Sequence, residues 1–280
     1  MRSLMLGLPV LAVGAVMVPT LVWLQMPVDM SLPTPTVAAG ELPTEKEMRQ
    51  LAETDPIAFF ENCIRRYNKE VKGYTLTFQK QERINGVLQN KELIKVAFRD
   101  KPHSVYFEWL EGARKAERVL YVEGENKNKQ GKSMLLARPR GAFIRRLIGD
   151  IVEREVDGAD AKQSGRLTLD QFGFKKNTER TLASMKMAKE RGALNVKFLG
   201  EKKIEELNNR VCYVFRRHYD KPELDGIAEL TIFVDKETWL QTGNILKDKD
   251  GNLIAEYYFR DVKLNPKFDK DQFTRKALMP

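Results

Sequence analysis

The sequence predicts an α+β domain of mostly antiparallel strands, opened by helices and preceded by a hydrophobic segment that carries it out of the cytoplasm. Three observations lead there. The run from Leu4 to Leu24 holds no charged residue. An apolar stripe at helical spacing (Ile57, Phe60, Ile64, Tyr67 and Val71) is followed by alternating aromatic strands from Tyr74 onward. No helical crossover separates successive strands, which favours antiparallel pairing. With 42% hydrophobic and 31% charged residues in a chain of 280, the composition is that of a folded domain and excludes a disordered chain.

The leader comes first. Arg2 is the only positive side chain ahead of Leu4, as expected where the N-terminus stays in the cytoplasm and the remainder faces outward. The Leu4–Leu24 run is longer than a cleaved signal needs and approaches the ~20 residues that span a bilayer, which favours an anchor within residues 1–26. Cleavage and secretion is the alternative, because Val37-Ala38-Ala39 before Gly40 has small-residue signal peptidase character. Pro27, Pro33 and Pro35 mark residues 27–43 as an extended linker, and the folded domain is expected over 44–280.

Thr44 with Glu47 forms a capping-box pattern, and Thr54-Asp55-Pro56 offers a second helix start with proline at its first position. Gly73 is the expected stop of the second helix. Tyr74, Leu76 and Phe78 then alternate with Thr75, Thr77 and Gln79, and Asn85-Gly86 is a strong hairpin signal. Ile94, Val96 and Phe98, then Val105, Phe107 and Trp109, then Val119 and Tyr121 continue the alternation into a curved sheet. A less regular middle from about Gly124 to Gly192 ends in a helix expected over Asn177 to Arg191. Strands resume at Val196–Leu199, Val211–Arg217, Ile227–Val234 and a terminal hairpin from Trp239 to Val262 that turns at Asp250-Gly251.

The net charge of +9 belongs to the domain, since Arg2 and Asp29 cancel within the first 40 residues. Outside the cytoplasm, an anionic membrane surface or cell-wall polymer is the expected counterpart, and nucleic acid is set aside. Arg138, Arg140, Arg145 and Arg146 surround Phe143, Ile144, Leu147, Ile148 and Ile151, a mixture suited to a short basic amphipathic helix at a membrane surface or a lid. A surface loop that tucks its apolar residues into the core explains the same residues.

Catalytic chemistry has little to use. His103 and His218 are the only histidines, Ser104, Ser133, Ser164 and Ser184 lack a nucleophile elbow, and Asp248 with Asp250 lack the other ligands of a calcium loop. Asp157 with Asp160 and Asp269 with Asp271 read as solvated loop carboxylates. No cofactor motif is present, and Cys63 and Cys212 have no metal-ligand spacing. In an oxidising compartment the two cysteines could form a disulfide tying the early helix to a late strand; two buried free thiols is the other reading.

The runs Thr54 to Tyr67, Val71 to Gln89, Val105 to Gly124 and Asp170 to Arg180, with the ending Asn265-Pro266-Lys267-Phe268-Asp269-Lys270-Asp271-Gln272-Phe273, resemble a bacterial domain of unknown function, number fifteen-seventy-one. That domain sits within the LolA/LolB/LppX-like periplasmic lipoprotein-carrier superfamily, and the resemblance covers most of residues 50 to 275. It implies an open β half-barrel whose concave face is covered by helices and holds acyl chains without covalent chemistry. Phe78, Phe98, Phe107, Trp109 and Tyr121 would then line a cavity for a lipid or lipoprotein acyl chain, although the same five could simply pack a helix onto the sheet. A solidly packed domain would suit an envelope protein-interaction or sensor role instead.

Overall fold

Thr44 caps the first helix of the domain as its sequence predicts. The computed structural model describes residues 40–221 and 226–279, and the Leu4–Leu24 segment, the Pro27–Pro35 linker and the Val37–Ala39 cleavage pattern lie outside the described residues. The described elements belong to one compact unit, Glu41–Pro280. Among them no helix is long and apolar enough to cross a membrane.

The Thr44 hydroxyl accepts the Glu47 backbone N–H while the Glu47 carboxylate accepts the Thr44 N–H, closing the capping box of α1 (Glu45–Thr54). Asp55 then caps α2 (Pro56–Glu70), whose first residue is the proline. Gly73 is not a left-handed stop. It opens the next strand, and its need for a bare Cα is steric, since a Cβ there would lie 2.7 Å from the Phe98 carbonyl oxygen.

The strands are β1 (Gly73–Ile84), β2 (Val87–Leu88), β3 (Glu92–Arg99), β4 (Ser104–Glu111), β5 (Ala116–Val122), β6 (Met134–Pro139), β7 (Val152–Glu155), β8 (Asn195–Ile204), β9 (Arg210–His218), β10 (Glu229–Asp235), β11 (Gln241–Lys247) and β12 (Leu253–Leu264). They form one open sheet in the order β7-β6-β5-β4-β3-β1-β12-β11-β10-β9-β8, with β2 paired to β1. Every pair is antiparallel. The sheet is therefore two meanders, β3 to β7 and β8 to β12, joined through β1 and β12. The Asn85-Gly86 turn forms with both residues at positive φ, 50° and 80°.

Alternation sorts the sheet residues onto two faces. One carries Phe78, Phe98, Phe107, Tyr213, Phe215 and Ile232 beneath α2 and α5 (Phe174–Glu190). The other carries Ala97, Tyr106, Leu120 and Leu136 under the C-terminal Phe273 and Leu278, and separately Cys212, Val214, Phe233 and Tyr258. Cys63, on α2, packs with Tyr213 and Phe215 on the helix-covered face, whereas Cys212 points to the opposite face. The sheet lies between them, so the two are free buried thiols and not a disulfide.

Four elements of the middle depart from their sequence pattern. β6 and β7 are strands within the stretch that reads as irregular, and α4 (Ala159–Ser164) is a short added helix. α5 begins at Phe174, three residues before Asn177, because Gly173 makes the turn at φ 129° where a Cβ would meet the Phe98 ring at 3.0 Å. Asn177 and Thr178 are thus inside the helix, and the Thr178 hydroxyl donates back to the Phe174 carbonyl at 2.9 Å.

Candidate functional site

Seven residues held between two glycines of positive φ form α3 (Ala142–Ile148), with Gly141 at 90° before it and Gly149 at 98° after it. No residue of α3 is buried; Phe143 is 71% and Leu147 65% exposed. One turn apart, Ile144 and Ile148 form its other apolar side. They roof a groove of about 470 Å³ over the β3–β7 meander.

The floor of this groove is built by inward positions of adjacent strands: Phe107 and Trp109 on β4, Val119 on β5, Leu135 and Ala137 on β6, and Val152 on β7. α4 and the segment Leu167 to Leu169 complete the wall. Phe172 packs against Phe107 with ring centroids 4.9 Å apart and lies 5.6 Å from Phe78 and 5.9 Å from Phe259. An apolar enclosure with a few polar groups at its edge is the usual form of a small-ligand site.

Those polar groups are concentrated where β1, β3 and the β4–β5 turn meet. Lys80 Nζ lies 2.9 Å from Glu82 and 3.6 Å from Glu92. Glu92 accepts the Trp109 indole N–H at 2.6 Å and faces Arg114 at 3.3 Å, while the Tyr257 hydroxyl donates to Glu82 at 2.7 Å. Burial by itself raises the Glu82 carboxyl, but Lys80, Tyr257 and the Arg166 backbone N–H outweigh it and hold it below the usual carboxylate range. Glu82 therefore faces Lys80 as a carboxylate at neutral pH. Sequence reasoning missed this cluster, although a signal existed: Lys80 and Glu82 continue the inward phase of Leu76 and Phe78, and charges in that phase are unusual.

The five aromatic residues expected to line one cavity divide in two. Phe107 and Trp109 face the groove. Phe78 and Phe98 are packed into the core, Phe98 stacked on Tyr74 at 4.5 Å and Phe78 on Phe259 at 4.7 Å. Tyr121 is buried with Val119, Leu135 and Val156, its ring 6.0 Å from His103. The space between α2 and the sheet is likewise filled, by Phe59 and Phe60 against Tyr213 and Phe215.

The basic residues around α3 also divide. Arg138, 9% exposed, and Arg145 both bind Glu117, whose carboxyl is held low by the Gly141 N–H and Arg145 despite the opposing effect of burial. These two are internal ties that fasten α3 to the sheet and do not face outward. Arg140, by contrast, lines the groove, and Arg146 is exposed beside Phe143 and Leu147. Among the described residues no cluster of three His, Cys, Asp or Glu side chains could hold a metal ion.

A family model described as "Protein of unknown function (DUF1571)" matches residues 71–277, which include every residue lining the groove. No curated protein matches this chain. Among solved structures, the Pseudomonas aeruginosa MucA/MucB complex is similar at 16% identity and a TM-score of 0.46, over 80% of this chain and 62% of that one. The LolA superfamily protein NE2245 from Nitrosomonas europaea is similar at 8% identity and a TM-score of 0.35, over 78% of this chain and 98% of that one. Mycobacterium tuberculosis lipoprotein LppX is similar at 9% identity and a TM-score of 0.38, over 77% and 99%.

Proposed function

Starting from the premise that this chain belongs to the DUF1571 family, we propose that it is a non-enzymatic envelope protein that binds an acyl chain of a lipid or lipoprotein in the α3–α4 groove. The carrying observation is the groove itself, apolar on its floor and roofed by a short helix whose outer residues are exposed. A chain laid against Phe107, Val119 and Leu135 would leave water, a gain of about 25 cal/mol per Å² of apolar surface before ordering costs. No covalent step is required.

Phe143 and Leu147, with Arg146 between them, support docking of α3 on an anionic membrane surface, the apolar side chains entering the headgroup boundary and the guanidinium meeting phosphate. The Leu4–Leu24 segment would hold the domain at that membrane with its N-terminus in the cytoplasm. A tethered protein of this kind captures its ligand locally and does not shuttle freely.

The test is native mass spectrometry of the protein purified from membranes, together with titration of a fluorescent fatty acid. A copurifying lipid, and probe binding that Ile144→Asp with Ile148→Asp abolishes, are expected. A ligand-free protein that also ignores the probe would overturn the proposal.

The solid packing of Phe78, Phe98 and Tyr121 favours a second reading, an interaction or sensor module for an envelope protein. A defined protein partner whose capture survives Phe107→Ala and Trp109→Ala, while lipid uptake does not, would select it.

A further inference from the structure

The groove is not electrically neutral. Of its lining side chains five are cationic, Lys80, Arg114, Lys115, Arg140 and Arg154, against the two carboxylates Glu92 and Asp160. Both carboxylates are committed: Glu92 to Trp109, Arg114 and Lys80, and Asp160 to Arg154 at 3.1 Å. The nearby Glu117 is held by Arg138 and Arg145. No acidic side chain that lines the groove pairs with Lys115 or Arg140.

These two residues and Arg114 are adjacent by construction. The Arg140 backbone N–H donates to the Lys115 carbonyl at 2.9 Å, the Arg140 guanidinium donates to the Ala113 carbonyl, and Arg114 reaches the Ser164 carbonyl at 2.6 Å. They form one cationic rim where α3 begins, so the Ile144 and Ile148 side of the helix runs from that rim along the apolar floor. A guanidinium has five N–H donors, and the two rim arginines use only some of theirs in these contacts. Arg114 shares its charge with Glu92 at 3.3 Å, whereas the carbonyl partner of the Arg140 guanidinium neutralises none of its charge.

We infer that the groove selects amphiphiles with an anionic head, the head held by Arg114, Lys115 and Arg140 and the chain lying beneath Ile144 and Ile148. The inference rests on the acyl-binding reading and specifies its ligand class. Carboxylate and phosphate share the chemistry the rim recognises: two or more oxygen acceptors that paired guanidinium N–H groups can meet. A neutral head of equal size would leave those donors to water alone.

The experiment compares affinities below the micelle limit for dodecanoate, dodecanol, lysophosphatidylglycerol and lysophosphatidylcholine, using the full chain and the variant Arg114→Gln/Lys115→Gln/Arg140→Gln. Each anion should bind about tenfold more tightly than its uncharged or zwitterionic counterpart, and the ratio should fall towards one in the variant and in high salt. The tighter of the two anions identifies carboxylate or phosphate as the head. Should the triple variant fail to fold, Lys115→Gln/Arg140→Gln, both exposed, carries the same comparison. Equal binding of anion and neutral analogue, or a preference that survives the substitutions, overturns the inference and leaves the acyl-binding reading standing. Binding of none of the four overturns both.

Discussion

The indole N–H of Trp109 donates to the carboxylate of Glu92 at 2.6 Å, linking the apolar floor of the groove to its buried charges. Glu92 is 4% exposed and also faces Lys80 and Arg114, so it is the acceptor on which three donors converge. Removing it strands an indole N–H and leaves Lys80 with Glu82 alone. Glu92→Ala is expected to cost about 3 kcal/mol of unfolding free energy by urea titration, and Glu92→Gln, which keeps an acceptor for Trp109, clearly less.

Acid should destabilise the protein in two stages. Burial first, and Lys176 second, pull the His103 imidazole below its ordinary value, so on acidification the unfolded chain takes up this proton before the folded one does. Stability therefore falls as pH drops from about 6.5 towards the folded pKa of His103. Glu82 and Asp235 are held low by their partners despite burial, Asp235 chiefly by Arg210 and Thr238, so their contribution is complete above about pH 4.3 and is lost below it. Urea midpoints measured at successive pH values should show both declines. In His103→Gln the upper one should vanish and the lower one persist.

Neither thiol should react in the folded protein. Burial pushes Cys212 up to about 12 and Cys63 up strongly as well, so almost no thiolate is available at neutral pH. A chromogenic thiol reagent should label neither under native conditions and both in denaturant without reductant. Failure to label after denaturation would indicate a disulfide and contradict the placement of the two residues on opposite faces of the sheet.

Much of the fold was legible because it is written in local pattern. The capping box at Thr44, the Asp55-Pro56 start, the Asn85-Gly86 turn and the alternating aromatics of β1, β3, β4 and β5 each depend on residues a few positions apart. β6 and β7 were not, because Met134–Pro139 is a short apolar run ending in proline and Val152–Glu155 is a four-residue edge strand. The start of α5 lies upstream of Asn177 because Thr178, a residue type that often caps helices, instead bonds inside this one, to the Phe174 carbonyl. Within the site, Phe107 and Trp109 and the apolar residues of α3 could be read from the sequence; Lys80, Glu82 and Glu92 could have been, from charges in an inward phase.

Taken alone, the sequence determined the class of the domain and the phase of β1, β3, β4 and β5, since a side chain's face follows from a period of two within its own strand. Which meander each strand joins, and what covers it, were decided only in the tertiary structure. Phe78 and Phe107 share an inward phase, yet one is sealed beneath Phe172 and Phe259 while the other also faces the groove. The pairing of β1 with β12 and the placement of Phe172 join residues far apart in the chain, and no local periodicity encodes them.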